Sequence, residues 1–148
     1  MSCTLTAPTL NSCNDLKGGV KTFEIALWEE SFDSATATWV TIPLRPNAAY
    51  GKDTPTVNAE NNTSFFTHEV FFQINGIDNF TGWGDMVQAR IAARATTYTD
   101  ATLVYGVESG LSFSGGERTI GQNLEDLIGS TLTYTGVSSV APEYTAPV

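Results

Sequence analysis

The stretch Ser64–Ile74, SFFTHEVFFQI, decides the fold. Read with a period of two, Phe66, His68, Val70, Phe72 and Ile74 fall on one face, and Phe65, Thr67, Glu69, Phe71 and Gln73 on the other. Both faces carry aromatics. A strand apolar on both sides is either central in a sandwich or has its second face covered by another subunit, and in a chain of 148 residues the second option gains weight.

Upstream, VKTFEIALWEE sets Phe23, Ile25 and Leu27 against Thr22, Glu24 and Ala26, the pattern of a half-buried strand. The polar SFDSATA reads as a connection. TWVTIPL then supplies a second strand, which Pro43 confines to an edge or an end. Residues Arg45 to Asn62, RPNAAYGKDTPTVNAENN, follow neither a period of two nor one of 3.6, and predict a long loop of the kind that becomes ordered on assembly.

Downstream, GWGDMVQARIAARATTY predicts a helix over about 82–98. Trp83, Met86, Val87, Ile91 and Tyr98 lie on one side and Asp85, Gln88 and Arg94 point outward, with Asp78, Asn79 or Thr81 as the cap. Strands follow near Thr102 to Val107, Leu111 to Ser114 and Thr131 to Val137, punctuated by glycines. The expected order is β-β-long loop-β-α-β-β-β. This is a mainly β chain: an antiparallel β-sandwich or barrel with one flanking α-helix, forming a single domain over 21–148 behind an N-terminal arm over 1–20.

Composition bounds the function. With 41% hydrophobic and 16% charged residues, the chain can bury one core. Sixteen acidic against seven basic residues give a formal charge of −9, which argues against a tight sequence-independent grip on nucleic acid. The same charge suits a conduit through which DNA slides without sticking, or simply keeps the protein soluble. No apolar run is long enough for a spanning helix, and MSCTLTAPTL lacks the regions of a signal peptide, so a cytoplasmic origin is expected. Neither Asn61-Asn62-Thr63 nor Asn79-Phe80-Thr81 is then expected to be glycosylated. Cys3 and Cys13 are expected as free thiols.

The chemistry-bearing motifs are sparse. Ser114-Gly115-Gly116-Glu117-Arg118 resembles the signature loop of ABC-type ATPases, but that loop needs a P-loop, and the nearest Gly51-Lys52 is followed by Asp53 instead of a hydroxyl residue. The paired glycines read instead as a turn between strands. His68 and Glu69, as strand neighbours, point to opposite faces and cannot form a dyad. With no other histidine and two cysteines, no catalytic, cofactor or metal set is expected. Arg90 and Arg94, one turn apart on the expected helix, could hold an anion, but two such arginines are more often solvated or paired with carboxylates.

The closing third is more specific. LVYGVESGLSFSGGERTIGQNLEDLIGSTLTYTG followed by APEYTAPV resembles the closing segment of bacteriophage major tail tube proteins. Its features fall on Gly106, Gly110, Ser114-Gly115-Gly116, Gly121, Asp126, Gly129 and Leu132 to Gly136, and SCNDLKGGVKTFEIAL is similar to starts of phage tail proteins. The resemblance implies a non-enzymatic virion subunit, assembled in the host bacterial cytoplasm. Six copies would form a ring whose sheets join into an acidic lumen, and rings would stack into a tube. DNA would pass without specific binding, no membrane would be involved, and other tail proteins (tape measure, terminator, baseplate or tip) would be partners. The loop over 45–62 and the N-terminal arm would bridge rings, while Glu117 and Arg118 would be inter-subunit partners. Competing readings are a tail-completion or capsid-decoration protein, and a carbohydrate-binding module stacking sugars on Trp28, Trp39 and Tyr50.

Overall fold

Alternation of large apolar side chains builds two antiparallel sheets that bury their facing sides. The computed structural model describes residues 19–43, 48–75, 83–123 and 129–145. In chain order the elements are β1 (Val20–Leu27), β2 (Val40–Ile42), β3 (Ala49–Asn58), β4 (Thr63–Asn75), α1 (Trp83–Gln88), β5 (Ile91–Thr97), β6 (Thr102–Tyr105), β7 (Ser112–Thr119), β8 (Gly129–Ser138) and β9 (Glu143–Thr145). One sheet runs β2-β1-β5-β6-β9 and the other β3-β4-β8-β7, with every pairing antiparallel.

The expected mainly β sandwich with a flanking helix is therefore what the chain forms. Phe66 is partly buried, whereas His68, Val70, Phe72 and Ile74 of β4 are buried against the second sheet. Phe23 of β1 meets Phe72 across the interior with ring centroids 4.9 Å apart, and Phe72 stacks on Tyr134 of β8 at 6.0 Å. Burying aromatics of this size contributes about 2 kcal/mol each, which is what holds the sheets together. Ile42, Ile91, Ala93, Ala95, Tyr105, Leu111 and Leu132 complete the core.

Two expectations are corrected. The helix over about 82–98 ends at Gln88, and residues 91–97 form β5, between β1 and β6 in its sheet. Ile91, Ala93 and Ala95 belong to the core cluster, and Arg94 lies opposite Glu24 of β1. Alanines fit either period, so the buried alanines that pair beside β1 also fit a helical stripe. The loop over 45–62 likewise contains β3, paired with β4 from Ala49–Phe72 to Asn58–Thr63. Its Gly, Pro and Asn are tolerated because, among the described residues, β3 is an edge strand that pairs with β4 alone. Gly51 is required there: a Cβ would lie 2.7 Å from the Tyr105 ring.

Short contacts finish the ends. The Tyr134 hydroxyl donates to the Met86 carbonyl at 2.6 Å and fastens α1 to the sandwich. The connection after β1 folds back on itself through the Trp39 indole, which donates to the Ser34 carbonyl at 3.1 Å. The expected arm over 1–20 lies outside the described residues except for its last two, as do Cys3, Cys13, the caps Asp78, Asn79 and Thr81, Asp126, and the triplet Asn79-Phe80-Thr81. No described helix is long and apolar enough to cross a membrane.

Candidate functional site

The outer face of the four-stranded sheet is the surface most unlike a core. Since Phe72, Leu132 and Tyr134 point inward, alternation turns Tyr50, Lys52, Thr54 and Thr56 of β3, Thr67, Glu69, Phe71 and Gln73 of β4, and Thr131, Thr133 and Thr135 of β8 the other way. Glu117 and Thr119 of β7 join them through their pairing with Thr131 and Gly129. The result is a sheet face dominated by threonine hydroxyls and methyls. Tyr50 stacks on Phe71 with centroids 5.3 Å apart, and Lys52 pairs with Glu69 at 2.9 Å. The Glu69 carboxylate is the main reason the Lys52 ammonium is held above its ordinary value.

Among the described residues, no further strand pairs with either edge of this sheet. The Gln73 amide donates to the Ala48 carbonyl at 2.9 Å, which fixes the alternation of the β3–β4 ladder. Even-numbered residues of β3 bond to β4, so Ala49, Gly51, Asp53 and Pro55 turn their backbone N and O to the edge. Counting on through β4–β8 and β8–β7 turns those of Gly116 and Arg118 outward at the opposite edge. Pro55 has no N–H to offer there.

The SGGERTIG stretch is thus not a turn. Ser112 to Thr119 form β7, with an irregularity in the pairing between Phe113 and Gly115. Gly116 sits at φ 150°, and a side chain there would collide with the Thr131 carbonyl. Glycines in this stretch therefore serve a bulged edge strand instead of a hairpin turn or a phosphate cradle.

The β3–β4 hairpin reaches beyond the sandwich. From Lys52 to Phe65 its residues are exposed on both faces, with Val57 73% exposed. Asn58 caps the turn through its side-chain oxygen, which accepts from the Glu60 amide at 3.1 Å.

The remaining candidates are separated by the fold. His68 is 2% exposed, edge-on to Tyr105 at 5.8 Å, and its Nδ1 has no hydrogen-bond partner among the described residues. Burial lowers its pKa, opposed by Asp53, the Val140 backbone and Glu108. It lines a cavity of about 90 Å³ with Val104, Glu108, Ser138 and Pro142. The Ser138 hydroxyl donates to the Glu108 carboxylate at 3.2 Å, so serine and imidazole are not coupled as nucleophile and base. The Ser139 hydroxyl is the main reason the Glu108 carboxyl is held below its ordinary value.

Arg90 and Arg94 do not share a helix face. Arg90 donates to the Ser109 carbonyl at 3.1 Å, and Arg94 is bound to Glu24 at 2.6 Å with its guanidinium 4.5 Å over Trp39. Trp28 donates to the Val107 carbonyl at 2.9 Å, so both tryptophans are engaged internally while Tyr50 lies on the other sheet. The three aromatics form no common sugar platform. Among the described residues no cluster of three or more His, Cys, Asp or Glu could hold a metal ion. What sequence reasoning missed is that β3 is a strand at the edge of the described sheet, whose signal was Pro55 within an otherwise strand-length segment. No family profile matches the chain, and neither a curated protein nor a solved structure matches it.

Proposed function

We propose that the chain is a non-enzymatic structural subunit of a phage tail tube, six copies closing into a ring and rings stacking around a channel for DNA. The observation that supports this most is the four-stranded sheet itself. Its strand count is even, so β3 and β7 run in opposite directions at its two edges. Copies related by rotation about an axis along the strands can then join β3 to a neighbour's β7 with antiparallel pairing throughout. Such joining removes both open edges and turns the threonine-rich outer face into a continuous wall. A wall of hydroxyls whose Lys52 is matched by Glu69 offers DNA no row of phosphate partners, in keeping with the chain charge of −9.

Negative-stain electron microscopy of the concentrated protein, followed over days, tests the reading. Hollow rings or tubes of uniform diameter are expected. Particles that remain monomeric at millimolar concentration would sink it and return weight to a virion protein that is not a tube subunit.

A further inference from the structure

The two edges differ in ways that select one alignment. β3 offers backbone groups at Ala49, Gly51 and Asp53, then loses its donor at Pro55. β7 is regular from Gly115 to Thr119 and is interrupted at Ser114, where its pairing shifts. Charges lie on both edges in opposite order along the chain: Lys52 then Asp53 on one, Glu117 then Arg118 on the other. Lys52 and Glu117 share the threonine face, while Asp53 and Arg118 belong to the opposite parity.

Resting on the tube reading above, we infer that β3 of one copy pairs with β7 of the next in a single register, Lys52 opposite Glu117. Gly51 then lies opposite Arg118 and Asp53 opposite Gly116, and these are the residues whose backbone N and O turn away from their own sheet partners. Tyr50 to Thr54 run against Thr119 to Gly115. Asp53 and Arg118 become diagonal neighbours on the inner face, so opposite charges meet on both faces of the joined strands. Pro55 meets Ser114, and pairing stops on both strands at the same step.

Taken singly, an edge proline and an edge bulge are ordinary guards against aggregation. Placing Asp53 opposite Arg118 would also match hydrogen-bond alternation, face and charge, but it sets Pro55 against Gly116 within the regular part of β7; only with Lys52 opposite Glu117 do the proline and the irregularity coincide, and that coincidence carries the inference. The partner is a second copy of this chain, and the hairpin beyond Pro55 is left outside the joined sheet.

Disulfide trapping tests the register. Lys52 and Glu117 would form a non-hydrogen-bonded pair, with Cα atoms about 4.5 Å apart, inside the range a disulfide spans. Lys52→Cys with Glu117→Cys, in a Cys3→Ser, Cys13→Ser background, is expected to give a ladder of covalent oligomers on oxidation. Thr54→Cys with Glu117→Cys, two residues out of register, is expected to give none. Lys52→Glu should raise the concentration needed for assembly by roughly threefold to tenfold per interface, and adding Glu117→Lys should restore it.

If the parent protein assembles but the 52/117 pair does not cross-link, or the 54/117 pair does, the register is wrong and the tube reading stands. If the parent protein never assembles, both fall. Circular dichroism of each variant separates loss of pairing from loss of fold.

Discussion

Arg94 of β5 grips Glu24 of β1 through two hydrogen bonds, at 2.6 and 3.2 Å, while its guanidinium lies 4.5 Å from the centre of the Trp39 ring. The side chains are only 29% and 18% exposed, so the pair lies between a surface ion pair and a buried one. Arg94→Ala is expected to lower the unfolding free energy by about 2 kcal/mol, since it leaves Glu24 half-buried and uncovers Trp39. Glu24→Gln keeps an acceptor and should cost about 1 kcal/mol. Urea unfolding followed by tryptophan fluorescence measures both. Equal stability of Arg94→Ala and the parent would show that the cluster contributes nothing.

Tyr134→Phe removes the hydroxyl that holds the Met86 carbonyl and keeps the ring in the core. A loss of about 1 kcal/mol is expected, with faster amide exchange confined to α1. Faster exchange spread over β4 and β8 would instead assign Tyr134 a purely packing role.

Gly51→Ala drives a methyl into the Tyr105 ring, which is 3% exposed. The expected cost is about 1–3 kcal/mol, because a packed core yields little room. Adding Tyr105→Leu should recover part of it, since the offending ring is gone. Thermal unfolding of the single and double variants reads the coupling, and strict additivity would refute it.

His68 makes stability depend on pH. Its folded-state pKa lies below the ordinary 6.5, so the unfolded chain binds the proton more readily. Stability from this group is therefore complete above pH 6.5 and is lost progressively below it, until the folded-state value is passed. His68→Gln should flatten the urea midpoint across that window. As His68 is the sole histidine, its ring proton gives one resonance whose titration should fall below pH 6.5. A midpoint above that value would reverse the sign of the effect.

Strands with one wet face and one dry face were legible. The alternation in β4, and the placing of Tyr134 and Leu132 in β8, are written in side chains whose burial follows a period of two; in β1 Phe23 obeys it, but Ala26 is buried and Leu27, expected inward, is 61% exposed. β5 was not legible, because Ala92, Ala93 and Ala95 are all buried and their small size carries no periodic signal. β3 was hidden for the opposite reason: from Lys52 onward it is exposed on both faces, so nothing alternates. Glu117 and Arg118, read in the sequence as part of a turn, lie instead in β7, the outer strand of the described sheet. Which edge they could meet depended on a ladder no one-dimensional reading counts, from Gln73 to Ala48 and on across four strands.

The overhang of the β3–β4 hairpin has a consequence for larger assemblies. It leaves the sandwich at one end only, the end marked by Asn58 and Thr63. Copies arranged by rotation alone would carry all their overhangs on the same rim, so the ring would have a head and a tail. Successive rings could then add in one orientation, and the stack would acquire a direction before any other component told it which way to point.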